Sequence, residues 1–430
     1  MKNVSLPLLL AIAAAPGVAA EEEGEPAFVG GVFAMTNEFD GNRVAAYGRA
    51  DDGTLTLVGL YPTGGLGAAF DGGEGLDPLI SAYSLLLTDD NKFLLAVNAG
   101  SDSVTVFQVN DDLTLTKTDE VATRGVGPNA IAHSEGLVYV ACIDADGAFA
   151  GEPDQEGSLH GYRLTPEGQL MPMGSGRRLG NRPSAVQFSP DGAFLIVSSI
   201  NAGSIALASG SQDEIAVFGV RGDGTLTRRA ISAATSTPLF NPAGRNLPSA
   251  IGFEVVESGG AQYVVVTEAR EFQSDGSPPA FDALQTGSIS TWELASDGSL
   301  NPVQLDVLAG DSDTDGQRTA CWIEFSADQS YFWVSNALEA TLSTFSFSGG
   351  TVALVDEIAA YGSAPAELDP FGTTDGWIDL WISADGKYLY QLFGLDGSIG
   401  VFRVEGSELT FLQKVSGGLP DANTQGIVAF

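Results

Sequence analysis

Four side chains have the types that acyl chemistry uses. Glu268 closes an apolar run as Thr267-Glu268, and Arg182, Arg245 and Arg318 each precede another such run. A carboxylate beside a water is a general base, and a guanidinium binds a carboxylate or a developing oxyanion through its fork of N–H groups. Polar residues recur at equivalent places along the chain. Asn37, Asn98, Asp144, Ser199 and Asn336 end apolar runs as Glu268 does, while Asn129, Gln317 and Asp375 lie in the segments that lead into them. Asn98, Asn129, Asp144, Asn336 and Asp375 are the expected ligand-binding set. The same residues also suit a structural reading, in which they cap strand ends and bridge neighbouring units.

Other chemistries find less support. Asp311-Ser-Asp313-Thr-Asp315-Gly316 alternates carboxylates before a glycine, a spacing that can wrap oxygens around Ca2+, although Trp322 stands where a calcium loop has its closing glutamate. Calcium is therefore the one candidate ion, an acidic solvated loop is its alternative, and no cofactor is required. No Gly-x-Ser-x-Gly elbow is present, and both histidines, His133 and His160, fall in one repeat, which argues against a serine triad and a histidine zinc site. Cys142 and Cys321 lie in apolar runs of distant repeats and read as free, buried thiols. With 55 acidic against 19 basic residues the formal charge is −36, which argues strongly against nucleic acid or anionic membrane as a partner. The excess suits solubility, and the expected partner is a small molecule bound by a monomer.

These residues sit in a repeat. The stretch 183–227 reads PSAVQFSPDGAFLIVSS, a polar insertion, then EIAVFGVRGDGTLT: four short β-type segments separated by Asp-Gly turns. An aromatic in the third segment marks each copy: Tyr47, Phe107, Tyr162, Phe218, Trp292, Phe345 and Phe402. Seven copies of a four-strand unit predict an all-β, seven-bladed β-propeller of antiparallel blades over residues 27–430. The blades are expected at 27–60, 78–121, 128–173, 183–230, 248–307, 319–358 and 377–415. Blade one lacks an innermost strand, and Gly426-Ile427-Val428-Ala429-Phe430 resembles one, so the C-terminal strand should close the ring against the N-terminal blade. Residues 1–20 read as a secretory signal, with Lys2, an apolar core and Val18-Ala19-Ala20, followed by an acidic tail at 21–26. An exported protein, periplasmic or extracellular, is expected, with no membrane insertion.

Turn lengths separate the two faces of such a disc. The first-to-second and third-to-fourth turns are tight, as at Ser189-Pro190-Asp191-Gly192 and Ser296-Asp297-Gly298. The opposite face carries long loops at 144–157, 200–213, 232–247, 268–287 and 361–376. Function belongs there, near the mouth of the central channel.

The repeat itself, PSAVQFSPDGAFLIVSS with EIAVFGVRGDGTLT, resembles the seven-bladed lactonase family, which contains 6-phosphogluconolactonases and carboxymuconate lactonising enzymes. The resemblance implies the same propeller and a small lactone or carboxylate ligand. It makes Glu268 the general base or water-positioner and gives Arg182, Arg245 and Arg318 the carboxylate or oxyanion. Where that family has a Gly-Pro-Arg-His lead-in, this chain reads Gly127-Pro128-Asn129-Ala130 and Leu247-Pro248-Ser249-Ala250. A non-catalytic propeller that binds a protein or glycan through its long loops is the alternative. The runs Phe93–Asn98 and 332–336 also resemble the repeats of secreted propellers that only bind.

Overall fold

The computed structural model describes residues 28–69, 77–144, 157–179, 182–200, 215–234, 245–272, 285–314, 316–361 and 376–430. They form seven four-stranded antiparallel sheets, each ordered from the first to the fourth strand of one repeat. The ring closes as expected. The strand Ile427–Ala429 pairs with Gly30–Met35, Val32 opposite Ala429 and Ala34 opposite Ile427, so the last strand is the innermost of blade one. Among the described residues no helix is long and apolar enough to cross a membrane.

Local chemistry sets the tight turns. In the first-to-second turns a hydroxyl donates to the aspartate two residues on: Thr88 to Asp90 at 2.7 Å, Ser189 to Asp191 at 2.6 Å and Ser383 to Asp385 at 2.6 Å. In the third-to-fourth turns the aspartate comes first and accepts from Thr54, Thr114, Thr225 and Ser299. Such side-chain bonds stand in for backbone turn bonds. The following glycine has a second task. Gly53 (φ 90°) and Gly298 (φ 84°) adopt left-handed backbone, and a Cβ there would lie 2.2 Å from the Tyr388 ring and 2.7 Å from the Phe194 ring. Each turn thus packs on the aromatic that opens the second strand of the preceding blade.

The seven marker aromatics are all buried, at 4% exposure or less. Each is worth about 1.5–3 kcal/mol against exposure, so packing between blades outweighs any single turn bond. Cys142 and Cys321 are free and buried, and burial pushes the Cys142 thiol up to about 12. His160 is buried with Nε2 3.0 Å from Ser158 Oγ, and desolvation lowers its pKa to about 4. His133 accepts the Gly136 N–H on Nε2 at 3.2 Å. Both are structural.

Two expectations about the repeat need correction. In blade four, Thr225–Thr227 makes only an isolated bridge, Val220 with Leu226, and the fourth strand is Ser232–Ala234. Thr227 turns the chain outward by donating Oγ1 to the Arg229 carbonyl at 2.9 Å. In blade two the first strand is only Leu85–Leu87, and residues 79–84, read as part of that strand, enter the centre of the ring.

That central course is fixed by hydrogen bonds to the innermost strands of successive blades. Tyr83 O accepts from the Ile131 N–H of blade three at 2.9 Å, and the Ala82 N–H donates to Ser184 O of blade four at 2.9 Å. Tyr83 Oη lies 2.7 Å from Phe253 O of blade five, and Trp322 Nε1 of blade six donates to Ser81 O at 3.0 Å. The Trp381 ring of blade seven meets Tyr83 edge-on at 6.3 Å. Gln425, beside the closing strand, donates to Ser81 O at 2.6 Å and accepts from the Leu79 N–H at 2.8 Å. A segment that touches six blades lies on the axis. The channel is filled at this depth.

Candidate functional site

One end of blade five gathers the charged residues. Its second strand, Ala261–Phe272, carries Glu268 and Arg270 two residues apart, on one face of the strand. Its third, Gln285–Leu294, supplies Ser288 opposite Glu268. Its fourth, Leu300–Leu308, supplies Asp306, and Arg245 arrives just before the first strand, Leu247–Ser258. The end concerned is the one that carries the long loops.

The network closes on itself. Glu268 Oε2 accepts from Arg270 Nη2 at 2.8 Å and from Ser288 Oγ at 2.6 Å. Arg270 Nη2 also donates to Asp306 Oδ1 at 2.8 Å, Nε to Ser288 Oγ at 3.0 Å, and Nη1 to the Asn246 carbonyl at 3.2 Å. Arg245 forks onto Asp306 through Nη2 at 2.8 Å and Nε at 3.3 Å. Two carboxylates face two guanidinium groups, so the cluster is neutral in sum. Burial acts to raise the pKa of Asp306, but the Arg245 hydrogen bond and the Arg270 charge outweigh it and hold the carboxyl below its ordinary value. Asp306 has a left-handed backbone (φ 57°) beside register shifts in the pairing of the third and fourth strands, and its N–H donates to Ser290 Oγ at 3.1 Å. The irregularity aims its carboxylate at the arginines.

Among the described residues, two polar atoms of this network have no hydrogen-bond partner although both are buried: Glu268 Oε1 and Arg245 Nη1. Glu268 is wholly buried and Arg245 is 3% exposed. Arg245 Nη1 is 3.9 Å from Asp313 Oδ1, beyond hydrogen-bond range. A carboxylate oxygen and a guanidinium N–H left unpaired are an acceptor and a donor of the types that ester hydrolysis uses, and orphaned buried groups of this kind are uncommon in folded proteins.

The remaining candidates are dispersed. Arg318 pairs with Glu339 within blade six, which raises its pKa, and Arg182 opens the strand Arg182–Phe188 of blade four. Asn98 Nδ2 donates to Ser103 at 3.0 Å and to Thr105 at 2.9 Å; Asn336 Nδ2 donates to Thr341 at 3.2 Å and to Ser343 at 2.8 Å. Both amides tie the second strand to the third. Asn98 faces Ser103, Asn336 faces Thr341 and Glu268 faces Ser288 at the same register, so Glu268 stands where two other blades carry a hairpin-tying asparagine. Asn129 bridges to blade four through Pro183 O at 2.8 Å. Asp144 ends the strand Leu137–Asp144; Asp375 lies outside the described residues. In the acidic run, Asp313 is turned toward the Arg245 guanidinium, Asp311 is the first carboxylate, and Asp315 also lies outside the described residues. Among the described residues no group of three His, Cys, Asp or Glu could hold a metal.

Arg270 and Asp306 were missed by reading the sequence. The signal for Arg270 was Glu-x-Arg at strand spacing; Asp306 gave none, because its aim depends on the register shifts.

The family model "Lactonase, 7-bladed beta-propeller" matches residues 33–160, which bears out the resemblance in sequence over the first blades. No curated protein matches the chain in sequence. Among solved structures, the Pseudomonas aeruginosa periplasmic gluconolactonase is 21% identical with a TM-score of 0.54, over 75% of this chain and 82% of that one. A putative 6-phosphogluconolactonase from Bacteroides fragilis is 17% identical with a TM-score of 0.58, over 92% and 98%. A hypothetical selenium-binding protein from Sulfolobus tokodaii reaches 0.61 at 11% identity, over 94% of each chain. At these identities the structures share the fold.

Proposed function

We propose that this lactonase-like propeller hydrolyses a small lactone at the loop end of blade five and acts outside the cytoplasm. The observation that carries the reading is the pair of buried atoms without partners, Glu268 Oε1 and Arg245 Nη1, held within one blade by a charge-balanced network. Glu268 Oε1 takes a proton from the attacking water, whose oxygen adds to the lactone carbonyl. Arg245 Nη1 stabilises the oxyanion or holds a ligand carboxylate, and as the tetrahedral adduct collapses the ring C–O bond breaks while Glu268 returns its proton to the leaving oxygen, giving the hydroxy acid and restoring the carboxylate. Arg270 and Ser288 fix the Glu268 carboxylate through its other oxygen. Arg182 and Arg318, on blades four and six, stand outside the reacting centre in this reading, Arg318 being paired with Glu339.

Export rests on the signal-like residues 1–20, and the periplasmic gluconolactonase of similar fold supports non-phosphorylated aldonolactones as first substrates. N-terminal sequencing of the exported protein should begin at Glu21. The protein is proposed to act as a monomer without nucleic acid.

A second reading has its own observation. Glu268 occupies the register that Asn98 and Asn336 use to tie hairpins, which suits a propeller that binds a protein or glycan through its loops without turnover. Lactone hydrolysis followed by pH-stat, over aldono- and aromatic lactones, separates the two. Turnover by the folded protein, lost in Glu268→Gln and reduced in Arg245→Gln, supports the enzyme. No turnover on any lactone removes it.

A further inference from the structure

The Arg245 N–H left open in blade five faces a carboxylate. Asp313 Oδ1 stands 3.9 Å from Arg245 Nη1, too far for a hydrogen bond but close enough for the two charges to attract. The side chains differ in exposure, 1% for Arg245 and 58% for Asp313. A carboxylate that solvent reaches is thus set against a buried donor without a hydrogen-bond partner.

The turn that carries Asp313 is pinned to blade five. Thr286 is buried on the third strand, two residues before Ser288. Its Oγ1 donates to Ser312 O at 2.6 Å and accepts the Gly316 N–H at 3.0 Å, and its own N–H donates to Asp313 O at 3.0 Å. The Gln317 N–H closes the neck on Ala309 O at 3.2 Å, and two glycines let the chain pass itself there, since a Cβ on Gly310 would lie 2.4 Å from Gly316 Cα. One strand therefore holds both the hydroxyl that fixes Glu268 and the turn that aims Asp313. Other charges near the turn add to that of Asp313 or are already paired. Asp311 shares the turn, Glu357 of blade six accepts from Gln317 Nε2 at 3.2 Å, and Arg318, bridged to Thr286 through the backbone, is paired with Glu339. Glu268 and Asp306 already balance Arg245 and Arg270, so Asp313 tips the group to net negative charge.

We propose that Asp313 is a specificity-determining residue of this site: its carboxylate holds the place of a ligand oxygen at Arg245 Nη1, and its charge selects neutral, hydroxyl-bearing lactones over lactones that carry a carboxylate or a phosphate. The inference rests on the blade-five reading above and narrows its substrate class. Nη1 is buried, so a ligand oxygen reaches it when Asp313 turns aside, and the exposed Asp313 side chain has solvent to turn into. A ligand carboxylate that took this place would meet the like charge of Asp313. The carbonyl oxygen of a neutral lactone carries no such charge, and a ring hydroxyl donates to the displaced carboxylate. Arg245 is then left for the developing oxyanion instead of being neutralised by a charge on the substrate.

Two lactones test this, glucono-γ-lactone and glucaro-γ-lactone, which share a ring and differ by a terminal hydroxymethyl group against a carboxylate. The wild type should favour the neutral one in kcat/KM. Asp313→Asn, isosteric and on an exposed side chain, should reduce that preference about fivefold or more, the Coulomb effect of one unit charge about 4 Å away in water. Raising salt to about 1 M should reduce the wild-type preference and leave that of the variant nearly unchanged, which a purely structural role for Asp313 would not produce. Calorimetric titration with gluconate, an anion whose binding needs no turnover, reads the same charge. Asp313→Asn should bind gluconate about fivefold or more tightly than the wild type, and Asp313→Asn/Arg245→Gln should lose that gain. An unchanged preference in Asp313→Asn, with turnover still lost in Glu268→Gln, overturns this inference and leaves the lactonase reading standing. No turnover on either lactone, with gluconate binding that tightens in Asp313→Asn and falls back in the double variant, removes the lactonase and retains Asp313 as a charge filter at Arg245. Equal gluconate affinity in the wild type and Asp313→Asn overturns the filter in either case.

Discussion

Arg270 distinguishes a charge-balanced site from a collection of strand caps. It is 1% exposed and donates to both Glu268 and Asp306, each at 2.8 Å. Replacing it with Met keeps most of the volume and removes the positive charge. Asp306 keeps Arg245, but Glu268, itself wholly buried, keeps only the Ser288 hydroxyl. An uncompensated buried charge costs about 3–5 kcal/mol. Lost packing alone, for a swap of similar volume, costs under about 1.5 kcal/mol. The two mechanisms are therefore separable by size. Urea unfolding of Arg270→Met, followed by tryptophan fluorescence, should show the larger loss near pH 8. In the double variant Glu268→Gln/Arg270→Met the stray charge is gone, so about half or more of the loss should return. A loss below about 1.5 kcal/mol that the double variant does not restore would refute the reasoning, since the pairing of Arg270 with Glu268 would then contribute little to the fold.

Three further outcomes follow from the same structure. The turn aspartates Asp90, Asp112, Asp223 and Asp297 have lowered pKa values from their hydroxyl bonds, so what they contribute is present above the ordinary carboxyl range and lost as pH falls through it. Glu254 and Asp379, raised to about 7 by burial, act oppositely: their contribution is present below the ordinary range and lost as pH rises toward 7. Thermal unfolding across pH should therefore peak on the acid side of neutral, and a maximum above pH 8 contradicts that balance. Deleting residues 426–430 removes the buried Ile427, Val428 and Ala429 and the pairing with Gly30–Met35, worth about 4 kcal/mol or more in apolar burial alone; urea unfolding should show at least that loss. Calcium at millimolar levels, against a chelator, should leave the melting temperature unchanged if the Arg245 guanidinium, 3.9 Å from Asp313 Oδ1, is what that carboxylate serves; a rise of several degrees would support a calcium loop at 311–316.

The repeat was legible because its signals are local. A hydroxyl two residues from an aspartate, a glycine at the turn and an aromatic in the third strand recur within each unit, and the structure uses all three. Ring closure was legible for a similar reason: blade one lacked a strand and the last residues matched one. The channel filling was not. Leu79-Ile80-Ser81-Ala82-Tyr83 is apolar and follows a proline, so by itself it reads as the start of a strand, and only its partners on six blades place it elsewhere. The site was half legible. Glu268 and Arg245 were named from type and position and do meet in one network, whereas Arg318 is taken by Glu339, a partner from its own blade. Arg270 and Asp306, which join Arg245 to Glu268, depend on register and backbone irregularity that no residue type announces.

Blade five also holds two carboxyl groups in opposite environments on one hairpin. Glu254 and Glu268 lie on paired strands, with Glu268 opposite Ala250 and Glu254 opposite Val265, so about four residues, roughly 13 Å, separate them along the sheet. Both are buried. Toward the axis, Glu254 meets a phenol, an amide and a second glutamate, and desolvation raises its pKa to about 7. Toward the loops, Glu268 meets the Arg270 guanidinium and the Ser288 hydroxyl, both of which donate to its Oε2. Environment sets the two carboxyl groups apart. Glu254→Gln, which removes the like charge that raises Glu324, should lower the Glu324 pKa while leaving the blade five network and any lactone turnover in place. Infrared titration of the buried carboxyl groups in the folded variant reads it, and an unchanged Glu324 titration would show that the two glutamates do not interact between blades five and six.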